Sequence, residues 1–366
     1  MSFKNFLQIT ASDIDSELEL FFQKWSKDVE QISPRLLPLI DALADACRGG
    51  KRVRGALISL GYELGLNSNG IASSSHFAKL RGTPRNDNIL RAAVAYEIFQ
   101  AAILAHDDII DKSLLRRGKP SLYSRLGGGH AGISKAICLG DIGFFLAFQL
   151  MAKTKFSDEA KNRALAVFSK TMLETGIGEL LDVELSKIPP NPPLIKGDKG
   201  GFLYDDIITV YKYKTAYYTI TGPLLIGSIL GRAEDDRQDA IKIFGRNLGI
   251  GFQIQDDIND IFSDRTHLGK EVGGDIRTGK QTLLYIYASE HADGQQKKIL
   301  EKYYGNPMIG RAEIEEVKKI FEESGALEYA SGEAGRYAER ARKSINKITK
   351  SDDFRKLLFE ITEYFV

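Results

Sequence analysis

The chain has 366 residues, of which 43% are hydrophobic, enough for the buried core of one large domain or of two modest ones. Its 50 basic and 49 acidic residues give a formal net charge of +1, so no global field recruits nucleic acid or an anionic membrane. The only cysteines, Cys47 and Cys138, have no CxxC spacing, which argues against a zinc site or a disulfide scaffold. Because no run of about 18 uninterrupted apolar residues occurs, we expect no transmembrane segment and a cytoplasmic location.

Apolar residues recur mainly at intervals of three and four positions, as they do along one face of a helix. In chain order, the pattern is clear in LLPLIDALADAC, NILRAAVAYEIFQAAILAH, AICLGDIGFFLAFQLMA and ALAVFSKTMLETGIGELLDVEL. Sustained strand-like alternation bounded by Asn-Gly or Asp-Gly turns is missing from the sequence. The sequence therefore predicts an all-α protein, with the nearly all-round apolar helix at 137–152 near its centre.

Two stretches interrupt the helical pattern. Residues 66–88 are rich in Ser, Asn and Gly, and residues 189–203 contain four of the ten prolines next to three glycines. Helical pattern of the same kind resumes after each stretch. We interpret both as surface insertions in a single domain that spans residues 1–366; a linker between two domains is the alternative reading.

The motif DDxxD occurs three times, at Asp107–Asp111, Asp235–Asp239 and Asp256–Asp260. The second occurrence follows Gly231 and opens a predicted helix, where acidic side chains favour the positive end of the helix dipole and point to water. The other two occurrences end apolar segments. Because residues i and i+4 share a helix face, each of these two motifs directs a pair of carboxylates the same way from a buried element.

Buried carboxylates are too costly to keep without positive partners. Oxygen ligands with no histidine at matching spacing suit Mg²⁺ or Mn²⁺, which complete their shells with water and phosphate oxygens. A di-iron helical bundle would use Glu-x-x-His pairs, which this sequence lacks. We interpret His106 and His267, beside the acidic motifs, as supporting or solvated residues rather than ligands.

Basic residues occur in local clusters close to the acidic motifs, and both Arg and Lys suit diphosphate. The clusters are Lys51, Arg52 and Arg54; Arg116 and Arg117; Lys212 and Lys214; and Lys270, Arg277 and Lys280. Two carboxylate motifs with more than one cationic cluster predict an enzyme that binds divalent ions and two polyanionic substrates at once.

These motifs and their order resemble the trans-type isoprenyl diphosphate synthases, also called polyprenyl synthetases, over most of the chain. The matching elements are GGKRVR, HDDIIDKSLLRRG, CLGD, GELLD, KTA, GFQIQDDIND and GKQT. The resemblance implies an all-α helical bundle of the isoprenoid synthase type with a central active-site cavity. It also implies a homodimer.

The implied metal site holds three Mg²⁺ ions. By resemblance, Asp107 and Asp111 bind two ions that bridge to an allylic diphosphate, with Asp108 supporting them. Asp256 binds the third, with Asp257 and Asp260 alongside.

The implied substrates are isopentenyl diphosphate and an allylic diphosphate, condensed to an elongated all-trans prenyl diphosphate. The residues implied to contact the allylic diphosphate are Arg116, Lys214 and Lys270. Those implied to hold isopentenyl diphosphate are Lys51, Arg54, Gln100 and Arg117, with Lys280 as a further substrate-binding residue. Thr215 and Gln253 are implied to lie near the developing carbocation.

The product length should depend on the residues that precede Asp107 on its helix. Ala102 and Ile103 are not aromatic, so the shallow plug of a farnesyl-length enzyme is missing, whereas Phe99 and Tyr96 could form a deeper floor. We therefore expect a product of geranylgeranyl length. The alternative is that these aromatic residues only pack in the core.

Two other functions stay open at this point. A class I terpene cyclase has the same fold and an aspartate-rich motif, but it needs no second diphosphate pocket. A non-catalytic subunit of a heteromeric synthase tends to lose the aspartate motifs, which this chain keeps. The sequence also departs from the usual family pattern at Gly55, commonly proline, and at Glu179, commonly Gln.

Overall fold

The computed structural model of the chain describes four stretches, residues 1–68, 84–186, 201–263 and 273–366. Most of each predicted insertion lies outside the described residues. Lys270 and His267 also lie outside them. The described edges of the first insertion, 66–68 and 84–88, belong to helices.

Helices dominate the described residues, which confirms the predicted all-α class. They are α1 (Phe3–Ile32), α2 (Leu37–Cys47), α3 (Val53–Ser68), α4 (Pro84–Ile110), α5 (Leu122–Arg125), α6 (Gly129–Ala152), α7 (Asp158–Leu185), α8 (Gly201–Val210), α9 (Gly222–Leu230), α10 (Asp235–Phe262), α11 (Gly274–Thr278), α12 (Leu283–His291), α13 (Gly294–Tyr303), α14 (Arg311–Glu323), α15 (Ala326–Arg342), α16 (Ile345–Ile348) and α17 (Asp352–Phe365). The other elements are a 3₁₀-helix (Pro34–Leu36), a π-helix (Tyr211–Thr221) and a small antiparallel sheet of β1 (Leu115–Arg116) and β2 (Lys119–Pro120).

The chain divides into two compact units. Unit 1 comprises Met1–Ser169, Gly222–Asp239 and Lys347–Glu360. Unit 2 comprises Lys170–Thr221, Ala240–Asn346 and Ile361–Val366. The assignment of the whole chain to a single domain stays a prediction.

In unit 1, the amphipathic pattern of α1 determines which of its faces is buried. Ile14, Leu18 and Phe22 follow one another at intervals of four residues, and all three are buried in one apolar cluster. The same cluster contains Ile98 from α4 and Leu139 from α6. The helix that ends in the first aspartate motif is therefore held by apolar contacts along its length.

Helices α3 and α9 approach each other so closely that glycine is required where their backbones meet. A Cβ atom at Gly227 would lie 2.0 Å from the Ile58 carbonyl oxygen, and one at Gly61 would lie 2.2 Å from the Leu224 carbonyl oxygen. Both distances are far below van der Waals contact with backbone atoms, which cannot rotate away. The two glycines therefore set the spacing of this helix pair.

Helices α4 and α6 meet through small residues just before the first aspartate motif. A Cβ atom at Gly143 would lie 2.9 Å from the Ala102 Cβ, and one at Gly140 would lie 2.3 Å from the His106 ring. The His106 Nε2 atom is 3.2 Å from the Ile137 carbonyl oxygen. Ala102 and His106 thus pack against α6.

Unit 2 has its own apolar core. Ile254, Ile258 and Ile261 of α10 are buried with Leu284 of α12 and Phe321 of α14. The three isoleucines of α10 lie in the same helical turns as the second aspartate motif. The motif is therefore at the margin of this core.

Within the described residues, two helices are long and apolar enough to be candidates for a membrane span, α4 over Asp87–Ile110 and α6 over Gly129–Ala152. The most apolar window of α4 is 67% buried in the protein and that of α6 is 39% buried. Core helices of soluble proteins meet the same criteria, so this is weak support for a span. The expected absence of a transmembrane segment stays a prediction.

We predict that Gly227→Ala destabilises the protein by about 1–3 kcal/mol, because the new methyl group must displace the backbone of α3. Thermal and urea denaturation would measure the change in free energy of unfolding. Gly332→Ala on α15 is the matched control: its added Cβ meets nothing within 4 Å, so it should stabilise slightly by its helix propensity. Equal effects of the two substitutions would contradict the close approach of α3 and α9.

Candidate active site

The three aspartates of the first motif differ in exposure. Asp107 lies in the last turn of α4 and is half-buried, Asp108 is only 2% exposed, and Asp111 is exposed just beyond the helix. The Asp111 amide donates a hydrogen bond to the Asp107 carbonyl oxygen at 2.9 Å, which continues the helical register past Ile110. The central carboxylate is thus buried, and the outer two remain accessible about one turn apart.

Arg116 is the cationic partner of two aspartates in this motif. Its Nε atom donates to Asp108 Oδ1 at 2.8 Å, and its Nη2 atom contacts both Asp108 and, at 3.1 Å, Asp107 Oδ2. Burial by itself lowers the pKa of Arg116, but the hydrogen bond and charge of Asp108, followed by the charges of Asp107 and Asp111, raise it above its ordinary value. The guanidinium therefore stays charged beneath the carboxylates.

A tight hairpin separates the two adjacent arginines. Arg116 pairs with Lys119 across the strands, and the turn residues Arg117 and Gly118 have φ of 54° and 73°. Two positive φ values at the centre of a two-residue loop are typical of a type I′ turn. Because Arg116 lies on a strand and Arg117 in the turn, one side chain reaches the aspartates and the other reaches the glycine loop before α3.

Arg117 lies among other cations. Its Nη1 atom donates to the Gly49 carbonyl oxygen at 2.9 Å. Burial lowers the pKa of Arg117 below its ordinary value, and the charge of Arg52 lowers it further. Arg54 and Arg116 act in the same direction, whereas Glu97 opposes them. Concentrated positive charge of this kind attracts an anion.

A cavity of about 700 Å³ in unit 1 lies beside the arginine pair. Its charged lining residues are Asp45, Arg48, Asp108, Arg116, Arg117, Lys119 and Arg125. The predicted isopentenyl diphosphate ligands Lys51, Arg54 and Gln100 belong to the same unit but do not line it. Of that predicted set, the cavity therefore includes Arg117 alone.

The second motif, in unit 2, repeats the pattern of the first. Asp256 is exposed, Asp257 is 2% exposed, and Asp260 is half-buried one turn further along α10. Lys280 Nζ lies 2.9 Å from Asp257 Oδ1, and Tyr211 donates its hydroxyl proton to the other carboxylate oxygen. Here again the central carboxylate is buried against a cation.

Asp275 was not predicted as a site residue, although it lies beside the second motif. Its backbone amide donates to Asp260 Oδ2 at 3.0 Å, and its carboxylate is 3.5 Å from Lys280 Nζ. Burial raises the pKa of Asp275 well above its ordinary value; Lys280 opposes this, and the charges of Asp260, Asp257 and Asp256 add to it. The sequence signal was its place in GGDIRTGK, five residues before Lys280.

Lys280, like Arg116, keeps its positive charge through nearby carboxylates. Burial alone would lower the pKa of Lys280, but the charges of Asp257, Asp275 and Asp182 raise it well above its ordinary value. Lys280, predicted to bind substrate, is thus engaged by carboxylates of its own unit.

Lys214 and Thr215 lie on the π-helix, an element often found at functional sites. Lys214 Nζ is 2.9 Å from Glu179 Oε2 and 2.5 Å from Asp182 Oδ2, so the GELLD segment of α7 supplies both partners. A Cβ atom at Gly178 would lie 2.3 Å from the Lys214 amide nitrogen. This glycine permits the close approach that forms the ion pairs.

A chain of hydrogen bonds links the π-helix to the second motif. Thr215 Oγ1 donates to Gln253 Oε1 at 2.6 Å, and Gln253 Nε2 donates to Asp257 Oδ1 at 2.9 Å. Through Asp257 the chain continues to Lys280. The predicted residues Thr215, Gln253 and Lys280 therefore belong to one connected network.

The residues predicted to control chain length lie along α4. Phe99 is 1% exposed, and its ring centroid is 5.3 Å from that of Tyr96 and 5.1 Å from that of Phe168. Ala102 is buried against α6, whereas Ile103 is half-buried. Aromatic rings therefore fill the interior above the first motif.

Each motif presents oxygen donors that fit a magnesium ion. Among the residues that the structure describes, no three His, Cys, Asp or Glu side chains converge as a complete metal site. Mg²⁺ is commonly bound through one or two carboxylates together with substrate phosphates and water, so the accessible pair in each motif is a suitable donor set. The residues concerned are Asp107, Asp111, Asp256 and Asp260.

The chain is similar to known proteins over most of its length. The family described as Polyprenyl synthetase matches residues 38–324. A short chain isoprenyl diphosphate synthase of Methanocaldococcus jannaschii is 30% identical over 89% of this chain and 84% of that protein. A geranylgeranyl diphosphate synthase of Sulfolobus acidocaldarius is 29% identical over 87% of each chain.

The fold is also that of a solved structure, a geranylgeranyl pyrophosphate synthase from Corynebacterium glutamicum complexed with isoprenyl diphosphate and magnesium. The TM-score is 0.83, with 99% of this chain and 98% of that chain covered, at 23% sequence identity. Family, relatives and fold agree. The chain therefore belongs to the polyprenyl synthetase family and is a prenyltransferase.

Proposed function

We propose that this prenyltransferase is Mg²⁺-dependent and condenses isopentenyl diphosphate with an allylic diphosphate to give an all-trans product of geranylgeranyl length. One observation carries the proposal. Both aspartate motifs bury a central carboxylate against a cation and keep two outer carboxylates at least partly exposed one helical turn apart, where they can bind metal ions.

The chemistry requires an allylic carbon–oxygen bond to ionise while negative charge grows on the departing diphosphate. Three bound Mg²⁺ ions, held by Asp107, Asp111, Asp256 and Asp260, would supply positive charge to that diphosphate. Arg116, Lys214 and Lys270 would add charge from the protein. Such groups are effective because they are held in place before the reaction begins.

The second substrate needs a separate cationic site. Lys51, Arg54 and Arg117, with Gln100, would hold isopentenyl diphosphate so that its double bond attacks the allylic cation. Thr215 and Gln253, whose hydrogen bond fixes their side chains, would lie near the developing cation. The departing diphosphate would accept the proton released after carbon–carbon bond formation, so no protein base is assigned.

The geranylgeranyl length rests on the aromatic group around Phe99. Ala102 packs against α6 and Ile103 is aliphatic, so neither supplies an aromatic plug, and Phe99 with Tyr96 and Phe168 would limit the growing tail. The name of the relative from Sulfolobus acidocaldarius supports the same length.

We further propose that the protein is a cytoplasmic homodimer. Cys47 and Cys138 are both free thiols, which fits a reducing compartment. Helix α6 presents Ile137, Ile142 and Phe145 to solvent, at 42%, 38% and 75% exposure. A second copy covering this apolar face would account for it.

We expect the purified protein to incorporate labelled isopentenyl diphosphate in the presence of Mg²⁺ and dimethylallyl, geranyl or farnesyl diphosphate. Asp107→Ala should lower kcat/KM by roughly a hundredfold or more, because it removes a carboxylate of the metal site. The matched control is Asp235→Ala in the remaining DDxxD motif. The Asp235 side chain is 82% exposed and pairs with Arg163, so the Asp235→Ala variant should keep the activity of the wild-type protein.

Consumption of the allylic substrate to hydrocarbon or alcohol without label would favour a terpene cyclase. No turnover with any primer would favour a non-catalytic subunit. Equal activity of Asp107→Ala and Asp235→Ala would contradict the assignment of the first motif.

We predict that Phe99→Ala lengthens the product beyond geranylgeranyl diphosphate, because it opens the aromatic floor above the first motif. Product chain length would be resolved chromatographically. The truncation to Ala should also lower the free energy of unfolding by about 3–5 kcal/mol. Phe99→Leu leaves a smaller cavity and should destabilise the protein less. Phe359→Ala on α17, where the side chain is 44% exposed, is the control. Unchanged product length in both Phe99 variants would show that the ring only packs in the core.

We predict that Phe145→Glu converts the dimer into monomers, since a charge in the centre of an apolar interface is costly to desolvate. Sedimentation velocity would measure the mass. Met308→Glu, at an 88% exposed position in unit 2, should leave the dimer intact. A wild-type protein that sediments as a monomer would refute the dimer.

A further inference from the structure

Arg52 differs from its neighbours in the GGKRVRG segment. Lys51 is exposed and Arg54 is half-buried, whereas Arg52 is only 4% exposed. Its backbone also has a φ of 52°, in the left-handed region that non-glycine residues rarely adopt. A buried charge in an unfavourable backbone conformation persists only where its surroundings fix it firmly.

The Arg52 guanidinium joins three helices of unit 1. Its Nε atom donates to Asp15 Oδ1 on α1 at 2.7 Å, and its Nη2 atom is 2.6 Å from the same oxygen. Its Nη1 atom donates to the carbonyl oxygen of Cys47, the last residue of α2, at 2.6 Å. The same Nη1 atom is 3.4 Å from Glu97 Oε2 on α4. These contacts use the planar fork that an arginine has and a lysine lacks.

Glu97 holds the segment at a second point. Its Oε1 atom accepts a hydrogen bond from the Gly55 amide at 2.9 Å, while its other oxygen faces Arg52. Glu97 is 4% exposed, so both contacts are shielded from water. Residues 52 and 55 are therefore fixed to one carboxylate, and Arg54 lies between them.

This arrangement also requires a residue other than proline at position 55. Proline has no amide proton to donate to Glu97. A Cβ atom at Gly55 would lie 2.6 Å from Ile14 Cδ1, so α1 leaves little space there. The departure from the usual family residue thus belongs to the same set of contacts.

We propose that Arg52 is a positioning residue for the isopentenyl diphosphate site. It contacts no substrate; it holds residues 49–55 in the conformation that presents Lys51 and Arg54. The inference rests on the proposed function, because it takes Lys51 and Arg54 as ligands of isopentenyl diphosphate. It adds Asp15 and Glu97, on α1 and α4, as the partners that fix Arg52.

Arg52→Lys tests the proposal, because it keeps the charge and removes the fork. We expect the KM for isopentenyl diphosphate to rise about tenfold, equivalent to loss of about 1.4 kcal/mol of binding. The kcat and the KM for the allylic substrate should stay within about twofold of wild type. Hydrogen exchange at residues 49–55 should become faster. Glu97→Gln, which keeps an acceptor for Gly55, should produce a smaller rise in the same KM.

The matched control is Arg91→Lys. Arg91 on α4 pairs with Glu17 on α1, but its side chain is 43% exposed and does not line the cavity, so neither KM should change. A wild-type KM for isopentenyl diphosphate in Arg52→Lys would overturn the proposal. A lower kcat and a higher KM for both substrates, together with a lowered Tm, would also overturn it, because that pattern indicates a general structural role. Absence of labelled product from the wild-type protein would instead refute the proposed function, and the positioning role with it.

Discussion

The burial of one carboxylate in each aspartate motif is the constraint on which the candidate site depends. Asp108 and Asp257 are each 2% exposed, and an ionised carboxylate at such depth needs a cation and hydrogen bonds. Arg116 and Lys280 provide the charges. Removing one partner of a buried pair typically costs about 3–5 kcal/mol, so each pair fixes the end of its helix firmly. The outer carboxylates of each motif are thereby held in place beside the buried one.

The two pairs reach this result through different chemistry. Arg116 uses its fork to contact two neighbouring aspartates from a hairpin outside the helix. Lys280 is a point charge, and Asp257 accepts further hydrogen bonds from Gln253 and Tyr211. Because Gln253 also receives the Thr215 hydroxyl, a side-chain hydrogen bond links the π-helix to α10. Fixed polar networks of this kind need little reorganisation when charge develops nearby.

The sequence predicted the parts of this site that depend on local periodicity. The i, i+4 spacing placed Asp107 with Asp111, and Asp256 with Asp260, on shared faces, and the apolar spacing predicted the all-α class. It could not separate the buried central aspartates from the outer ones, because burial depends on packing between distant elements. Asp275 escaped prediction for the same reason, since a backbone amide links it to Asp260. The divergence of Arg116 and Arg117 required the hairpin, whose strands are two residues long and carry no periodic signal.

Although the net charge of the chain is close to zero, opposite charges are paired locally in the candidate site. Arg116 and Lys214, which the resemblance assigns to the allylic diphosphate, each contact two carboxylates, Asp107 with Asp108 and Glu179 with Asp182. A cation shared by two carboxylates is held in one direction by geometry, whereas a solvated surface cation samples many rotamers. Their acidic partners also supply charge that a metal ion can compensate. Acidic and basic motifs therefore occur side by side because each fixes the other before any substrate arrives.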